Sequence, residues 1–322
     1  MTANQGTGAQ PAHRIINEIR KVIHGKDAVI EQVMIAVLAR GHILLEDIPG
    51  VGKTTLAIAF SKATQLKYNR IQFTPDVVPG DVTGYTMYQK SDDRFVFVPG
   101  AVMCNFLLAD EINRTSSRTQ SALLQVMEEG TVTVEQKTYR CPDPFIVMAT
   151  QNPFGYAGTQ KLPESQLDRF LFRLSMGYPD EANEVSMLRA KRTAEEVQVL
   201  PVATQEDVLA MQAETDRVYV HDHILMYITR ISAQTRNHPS IALGLSPRGS
   251  IAIMRAAKAH AFLHDRMYVV PQDVMQVLPC AMHHRLVLKA GVSPSKETYD
   301  AILADIYRNV APPQIEVPEA LR

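Results

Sequence analysis

Between residues 41 and 175 the chain alternates short runs that are apolar at nearly every position with longer runs whose apolar residues recur every three or four. The short runs predict strands at 43–45, 105–109, 145–150 and 170–175, and Asn69–Phe73 is a further short strand candidate. The longer ones predict helices at 14–22, 27–40, 55–65 and 117–129. Strands that are apolar on both faces and alternate with helices make a parallel sheet covered on each side. Two β-rich pairs interrupt this order. Tyr85–Gln89 and Arg94–Val98 flank Lys-Ser-Asp-Asp, and Thr131–Val134 and Thr138–Cys141 flank Glu135-Gln136-Lys137, both hairpin patterns. The sheet core is therefore expected over about residues 41–177.

From Asp180 onward only helical periodicity remains. Thr204-Gln205-Glu206-Asp207 has the form of a capping box. Ile224, Leu225, Ile228 and Ile231 make an apolar stripe, and Ser246 with Pro247 opens a further helix. Two more helices are predicted at about 272–288 and 295–307. The division expected is a flexible tail at 1–12, a core at 13–180, a linker helix at 181–203, a helical domain at 204–310 and a tail at 311–322.

Composition narrows the classes. The 322 residues suggest about two domains. A net charge of −1 argues against dedicated nucleic-acid binding. Cys104, Cys141 and Cys280 are widely spaced, as expected of reduced cytosolic thiols rather than a disulfide or zinc framework. The polar first dozen residues do not resemble a signal peptide, and no apolar run is long enough to span a membrane. A cytoplasmic protein is expected.

The chemistry starts at residues 43–55. Ile43-Leu44-Leu45 runs into Pro49-Gly50-Val51-Gly52, then Lys53, Thr54 and Thr55 lead into a helix. A glycine turn at a helix N-terminus directs backbone N–H groups at an anion, and the helix dipole favours negative charge there. Lys53 would reach the β- and γ-phosphates of a nucleotide, and the Thr54 hydroxyl would ligate Mg²⁺. Asp47 stands where the phosphate-loop pattern has its first glycine, so its carboxylate should point away from the phosphates.

Further polar groups follow the ends of other strands, where such sheets carry their sites. Phe106-Leu107-Leu108-Ala109 leads into Asp110 and Glu111. Asp110 would hold the Mg²⁺ shell through water, and Glu111 would polarise the attacking water; a helix cap or salt bridge is the plainer alternative. Asn152 either orients that water or is a turn residue before Pro153. Arg169 is a candidate arginine finger, or else pairs with Asp168 on the surface. Arg248, on a helix's first turn where the dipole disfavours a cation, calls for a compensating anion. Ile23 and Gly25, in an apolar hinge upstream of the loop, either pack on an adenine ring or form an ordinary helix–helix turn.

The phosphate loop, the Asp110–Thr115 run D-E-I-N-R-T, A-T-Q-N-P at 149–153 and L-P-E-S-Q-L-D-R-F at 162–170 together resemble the MoxR family of AAA+ ATPases. They are similar, more distantly, to the magnesium-chelatase ATPase subunit. The resemblance runs from about His24 to Arg285. It implies an αβα core with a five-stranded parallel sheet, two β-hairpin inserts and an all-α lid. It also implies a hexameric ring hydrolysing ATP at subunit interfaces with Mg²⁺. On it, Lys53 and Thr54 are Walker A, Asp110 and Glu111 Walker B, Asn152 sensor 1, Arg169 the finger and Arg248 sensor 2. The partner it implies is a client protein with a von Willebrand A domain.

His221, His223, His283 and His284 stand one or two positions apart, where helical side chains diverge, and are not expected to ligate a metal. The function expected is ATP hydrolysis that remodels or activates a partner, with metal or cofactor insertion as one form of that work. A nucleic-acid motor and a nucleotide-gated scaffold with little turnover are the alternatives.

Overall fold

The computed structural model describes residues 8–152, 160, 162–192 and 198–317. Helices α1 (Gln10–Arg20) and α2 (Asp27–Leu38) precede β1 (Ile43–Glu46) and α3 (Lys53–Thr64). Helix α1 begins inside the stretch whose polarity suggested a flexible tail at 1–12. Pro11 presets the helical φ of its first turn, and Ala9 and Ala12 are buried, so tertiary contact anchors it. Residues 1–7 of that tail lie outside the described residues, as do 318–322 of the tail at 311–322.

The next elements are β2 (Tyr68–Gln72), the short α4 (Pro79–Thr83), β3 (Gly84–Gln89), β4 (Arg94–Pro99) and β5 (Phe106–Asp110). After them come α5 (Ser117–Glu129), β6 (Thr131–Val134), β7 (Lys137–Arg140), β8 (Ile146–Gln151), α6 (Glu164–Leu167) and β9 (Phe172–Leu174). Strands β2, β5, β8, β1 and β9 pair in that order as a parallel sheet. The register aligns Glu46 with Gln151 and Gln72 with Asp110, so the carboxyl ends of the strands form one edge. Both faces are apolar because alternate side chains point to opposite sides. Ile43, Leu45, Phe106 and Leu108 join the cluster formed with α1, α2 and α3, while Leu44, Leu107 and Ala109 join the cluster under α5.

Strands β3 and β4 form the first hairpin, β6 and β7 the second. The second turn is shorter than predicted. Val134 pairs with Lys137, leaving Glu135-Gln136 as the tip, with Glu135 at φ 55°. The hairpins touch through Phe97 and Tyr139, whose rings stack at 4.0 Å.

Helix α7 (Glu181–Arg192) leads toward the second unit; residues 193–197 of the expected linker lie outside the described residues. That unit holds α8 (Gln205–Arg217), α9 (Asp222–Asn237), β10 (Ile241–Leu243), α10 (Pro247–Leu263), α11 (Pro271–Met282), β11 (Val287–Leu288) and α12 (Lys296–Asn309). It is helical as expected, apart from one short antiparallel pair, β10 with β11, that periodicity did not announce. Helix α11 stops at Met282 rather than continuing to 288. His284 and Arg285 turn away to the Phe170 carbonyl and Asp168, a long-range demand that no local pattern carries. The Thr204 capping box forms in both directions, and Ser246 caps α10 through the Gly249 N–H at 3.1 Å. Helix α10 packs on α2, where Arg255 reaches the carbonyls of Ala39 and Arg40. Among the described residues no helix is long and apolar enough to cross a membrane.

Candidate active site

The loop between β1 and α3 is made possible by Gly50 at φ 85° and Gly52 at φ 95°, left-handed conformations that side chains disfavour. Gly52 caps α3, so Lys53, Thr54 and Thr55 form the helix's first turn, with their N–H groups unpaired within the helix. The Lys53 ammonium donates to the Asp47 carbonyl at 2.8 Å. Burial draws it below its ordinary pKa, while Asp47, Asp110 and Glu111 pull the other way. Its charge therefore faces the end of β5.

Asp47 is buried, and its carboxylate turns to the segment after β9. It accepts from Ser175 Oγ at 3.1 Å, from the Gly177 N–H at 3.2 Å and from the Met176 N–H. The acid that stands in place of a loop glycine is thus occupied by one hydroxyl and two backbone donors of residues 175–177.

At the end of β5, Asp110 is held on both oxygens, by Thr150 Oγ1 at 2.6 Å and Arg70 Nη2 at 2.8 Å. The Thr150 hydroxyl in turn accepts the Glu111 N–H at 2.8 Å, so one buried β8 side chain fixes both acids. Glu111 has φ 56°, a strained conformation for a residue with a side chain. Its carboxylate receives Gln72 Nε2 at 2.7 Å and Arg114 Nη1 at 2.8 Å. Asn152 is buried one residue beyond β8, and its carbonyl accepts from Asn113 Nδ2 at 3.2 Å. Lys53, Thr54, Asp110, Glu111 and Asn152 are therefore gathered at the carboxyl edge of the sheet.

Arg169 and Arg248 are elsewhere. Arg169 Nη1 donates to the Leu124 carbonyl at 2.8 Å and pairs with Glu128 Oε2 at 2.5 Å. Arg248 pairs with the other oxygen of Glu128. Glu128 lies at the end of α5 beside Met127, whose carbonyl accepts from His42 Nε2 at 2.8 Å, immediately before β1. The two arginines thus meet at the amino edge of the sheet, separated from Lys53 by roughly 13 Å of strand. Asp168 is not the partner of Arg169. It accepts Arg285 Nε at 2.6 Å and Ser246 Oγ at 2.8 Å, binding the second unit to the first.

Ile23 is buried in the core, and a side chain at Gly25 (φ 68°) would meet Asn183, so this hinge is a close crossing against the segment after β9. The donor set at the carboxyl edge fits a nucleoside triphosphate with Mg²⁺. Backbone N–H groups and an ammonium suit phosphate, and a hydroxyl with a carboxylate supplies the oxygen ligands that this hard cation takes. Periodicity did not announce Gln72, Thr150 or Glu128. Thr150 alone left a signal, as a hydroxyl in an otherwise apolar strand.

A family model described as "ATPase family associated with various cellular activities (AAA)" matches residues 42–172, and an AAA lid domain model matches 233–306. The chain is 46% identical over 301 residues to YeaC of Bacillus subtilis (strain 168), covering 93% of this chain and 94% of that protein. It is 38% identical over 318 residues to Chaperone MoxR1 of Mycobacterium tuberculosis, covering 95% and 84%. A Cytophaga hutchinsonii protein solved at 2.00 Å superposes with a TM-score of 0.87 at 34% identity, covering 95% and 96%.

Proposed function

Because the chain belongs to the MoxR family of AAA+ ATPases, we propose that it hydrolyses ATP at the interfaces of a homo-oligomeric, hexameric ring to remodel or activate a client protein. Lys53 and the loop from Pro49 to Thr55 hold the phosphates, and Thr54 and Asp110 hold Mg²⁺. Glu111 polarises water, and Asn152 senses the γ-phosphate. Ile23 and Gly25 border the adenine.

One observation carries the ring. Arg169 and Arg248 converge on Glu128 at the amino edge of the sheet, while Lys53, Asp110 and Glu111 are at the carboxyl edge. A chain whose two cationic groups stand across the sheet from its own phosphate loop needs a neighbour to complete the site. Both arginines then act in trans, stabilising charge on the neighbour's γ-phosphate.

The relative named as a chaperone supports protein remodelling. So does the first hairpin, which exposes Tyr85, Met87, Tyr88 and Phe95, a surface suited to protein contact. The client expected is one with a von Willebrand A domain, in the cytoplasm, and metal or cofactor insertion would be one outcome of the work. A nucleic-acid motor is disfavoured by the net charge of −1 and by hairpin tips in which Asp92, Asp93 and Glu135 balance Lys90, Arg94 and Lys137, leaving no basic strip for a phosphate backbone. A scaffold with little turnover is disfavoured by the complete set of acids around Lys53.

The test mixes subunits. Arg169→Ala and Glu111→Gln rings should each bind ATP and hydrolyse it poorly, whereas mixed rings should recover activity at hybrid interfaces. No recovery, with subunit exchange demonstrated by labelled chains, overturns the trans assignment.

A further inference from the structure

Helix α10 ends in a pair of histidines one turn apart. The His260 and His264 rings stack with centroids 4.2 Å apart and face Glu31 of α2. The three side chains come from both units of the molecule, because α2 belongs to the sheet domain and α10 to the lid.

The hydrogen bonds around the two rings decide what they offer. His260 Nδ1 donates to Asp273 Oδ1 at 2.6 Å, and Asp273 is fully buried. His264 Nδ1 donates to the His260 carbonyl at 2.9 Å, one helical turn back. With both Nδ1 atoms occupied as donors, each neutral ring keeps its lone pair on Nε2. A carboxylate or backbone carbonyl on the far nitrogen is the arrangement that orients imidazole toward a metal. His264 Nε2 already stands 3.6 Å from Glu31 Oε1, and each of the three residues can present a ligand atom within 4.8 Å of the other two. Ligands at zinc distances and a tetrahedral angle stand about 3.3 Å apart, and the stacked rings, 22° from parallel, hold their lone pairs in nearly parallel planes, so binding requires the partly exposed His264 ring to turn as the three ligands close.

We propose that Glu31, His260 and His264 form a divalent transition-metal site of the zinc class that ties α2 to the lid. Two imidazoles and one carboxylate suit Zn²⁺, whereas Mg²⁺ and Ca²⁺ require oxygen donors throughout, so the ion that accompanies ATP does not compete. Three protein ligands leave the fourth position to water. Glu31 contributes negative charge. The nearby Arg266 cation is neutralised by Asp273, which it grips at 2.5 and 2.7 Å. Asp273 is a positioning residue here, holding both His260 and Arg266.

The experiment titrates untagged, chelator-stripped protein with Zn²⁺ by calorimetry in the absence of nucleotide, and in parallel with Co²⁺ by visible absorption. The expected result is one ion per chain, a tetrahedral Co²⁺ band and a raised Tm with Zn²⁺. His264→Gln and Glu31→Gln, at partly exposed positions where circular dichroism should report an intact fold, should each weaken binding at least tenfold and remove the band. His223→Gln, whose ring packs on His221 far along the chain, should leave both unchanged. Absence of stoichiometric binding in the wild type, as a plain His264–Glu31 ion pair would give, overturns the proposal. Equal binding in wild type and the two ligand variants overturns it as well.

Discussion

The joint between lid and core can be tested at Asp168. Its carboxylate receives Arg285 Nε at 2.6 Å and Ser246 Oγ at 2.8 Å, and the Arg285 side chain is only 2% exposed. Burial lowers the Arg285 pKa, and Asp168 is the group that opposes this. Asp168→Asn keeps the shape and a hydrogen bond to Ser246 but removes the charge. Breaking a buried ion pair by removing one partner costs about 3–5 kcal/mol. Arg285 retains the carbonyls of Asp168 at 3.2 Å, Phe170 at 2.6 Å and Leu171 at 3.1 Å, which still solvate its charge. The expected loss is therefore smaller, about 1.5–3 kcal/mol, the range of a hydrogen bond to a charged group. The residue that follows is Arg169, so a loosened joint should lower ATP turnover while leaving binding at Lys53 intact. Urea unfolding followed by circular dichroism measures the first effect, and steady-state hydrolysis with nucleotide affinity the second. Because two units are present, the transition that moves is expected to be that of the lid. A loss below about 0.5 kcal/mol, as for a surface pair such as Arg308–Asp305, would refute the reasoning.

Lys53→Ala should abolish ATP binding, while Glu111→Gln should bind ATP and retain it uncleaved; equal affinity in Lys53→Ala and wild type would remove the phosphate-loop assignment. His42 is buried and held neutral, its pKa pushed down to about 4 by burial from an ordinary 6.5. The unfolded chain takes up that proton first, so stability present above pH 6.5 drains away between 6.5 and 4, by about 2 kcal/mol at pH 5. The acid loss should shrink in His42→Gln, measured by urea unfolding at pH 7 and 5; an unchanged loss would exclude His42 as its source. Gly-Ser replacement of 91–93 or of 135–137 should leave basal ATP turnover within about threefold, roughly 0.7 kcal/mol of barrier, while client activation falls much further. Client activation undiminished in an intact ring would move the search for the contact to the lid.

The glycine turn between β1 and α3 was legible because its causes are local. A strand, two glycines with positive φ, a lysine and a helix start lie within about a dozen residues, and the same segment supplies the turn, the dipole and the charge. The apolar runs likewise predicted β1, β5, β8 and β9 to within a residue or two, since burial on both faces leaves a continuous signal, whereas the edge strand β2 is largely polar and exposed. Local evidence was weaker where an element's end depends on a distant partner. Helix α11 stops early because His284 and Arg285 are claimed by residues 114 to 117 positions away. Helix α1 starts early because Ala9 and Ala12 are buried against the core.

The sequence by itself therefore determined the fold class, the glycine turn that opens α3 and the place of the acids that follow β5, because periodicity, glycine conformations and helix dipoles act over a few residues. Only the tertiary structure decided what those groups face. Glu128 meets Arg169 and, 120 positions away, Arg248; Thr150 joins Asp110 to Glu111 from the adjacent strand; Glu31 comes to face His260 and His264. None of these pairings has a sequence period. Each exists because packing two apolar sheet faces and a lid brings polar side chains distant in sequence side by side, and a buried member such as Thr150 that lost its partner would cost about 1–3 kcal/mol.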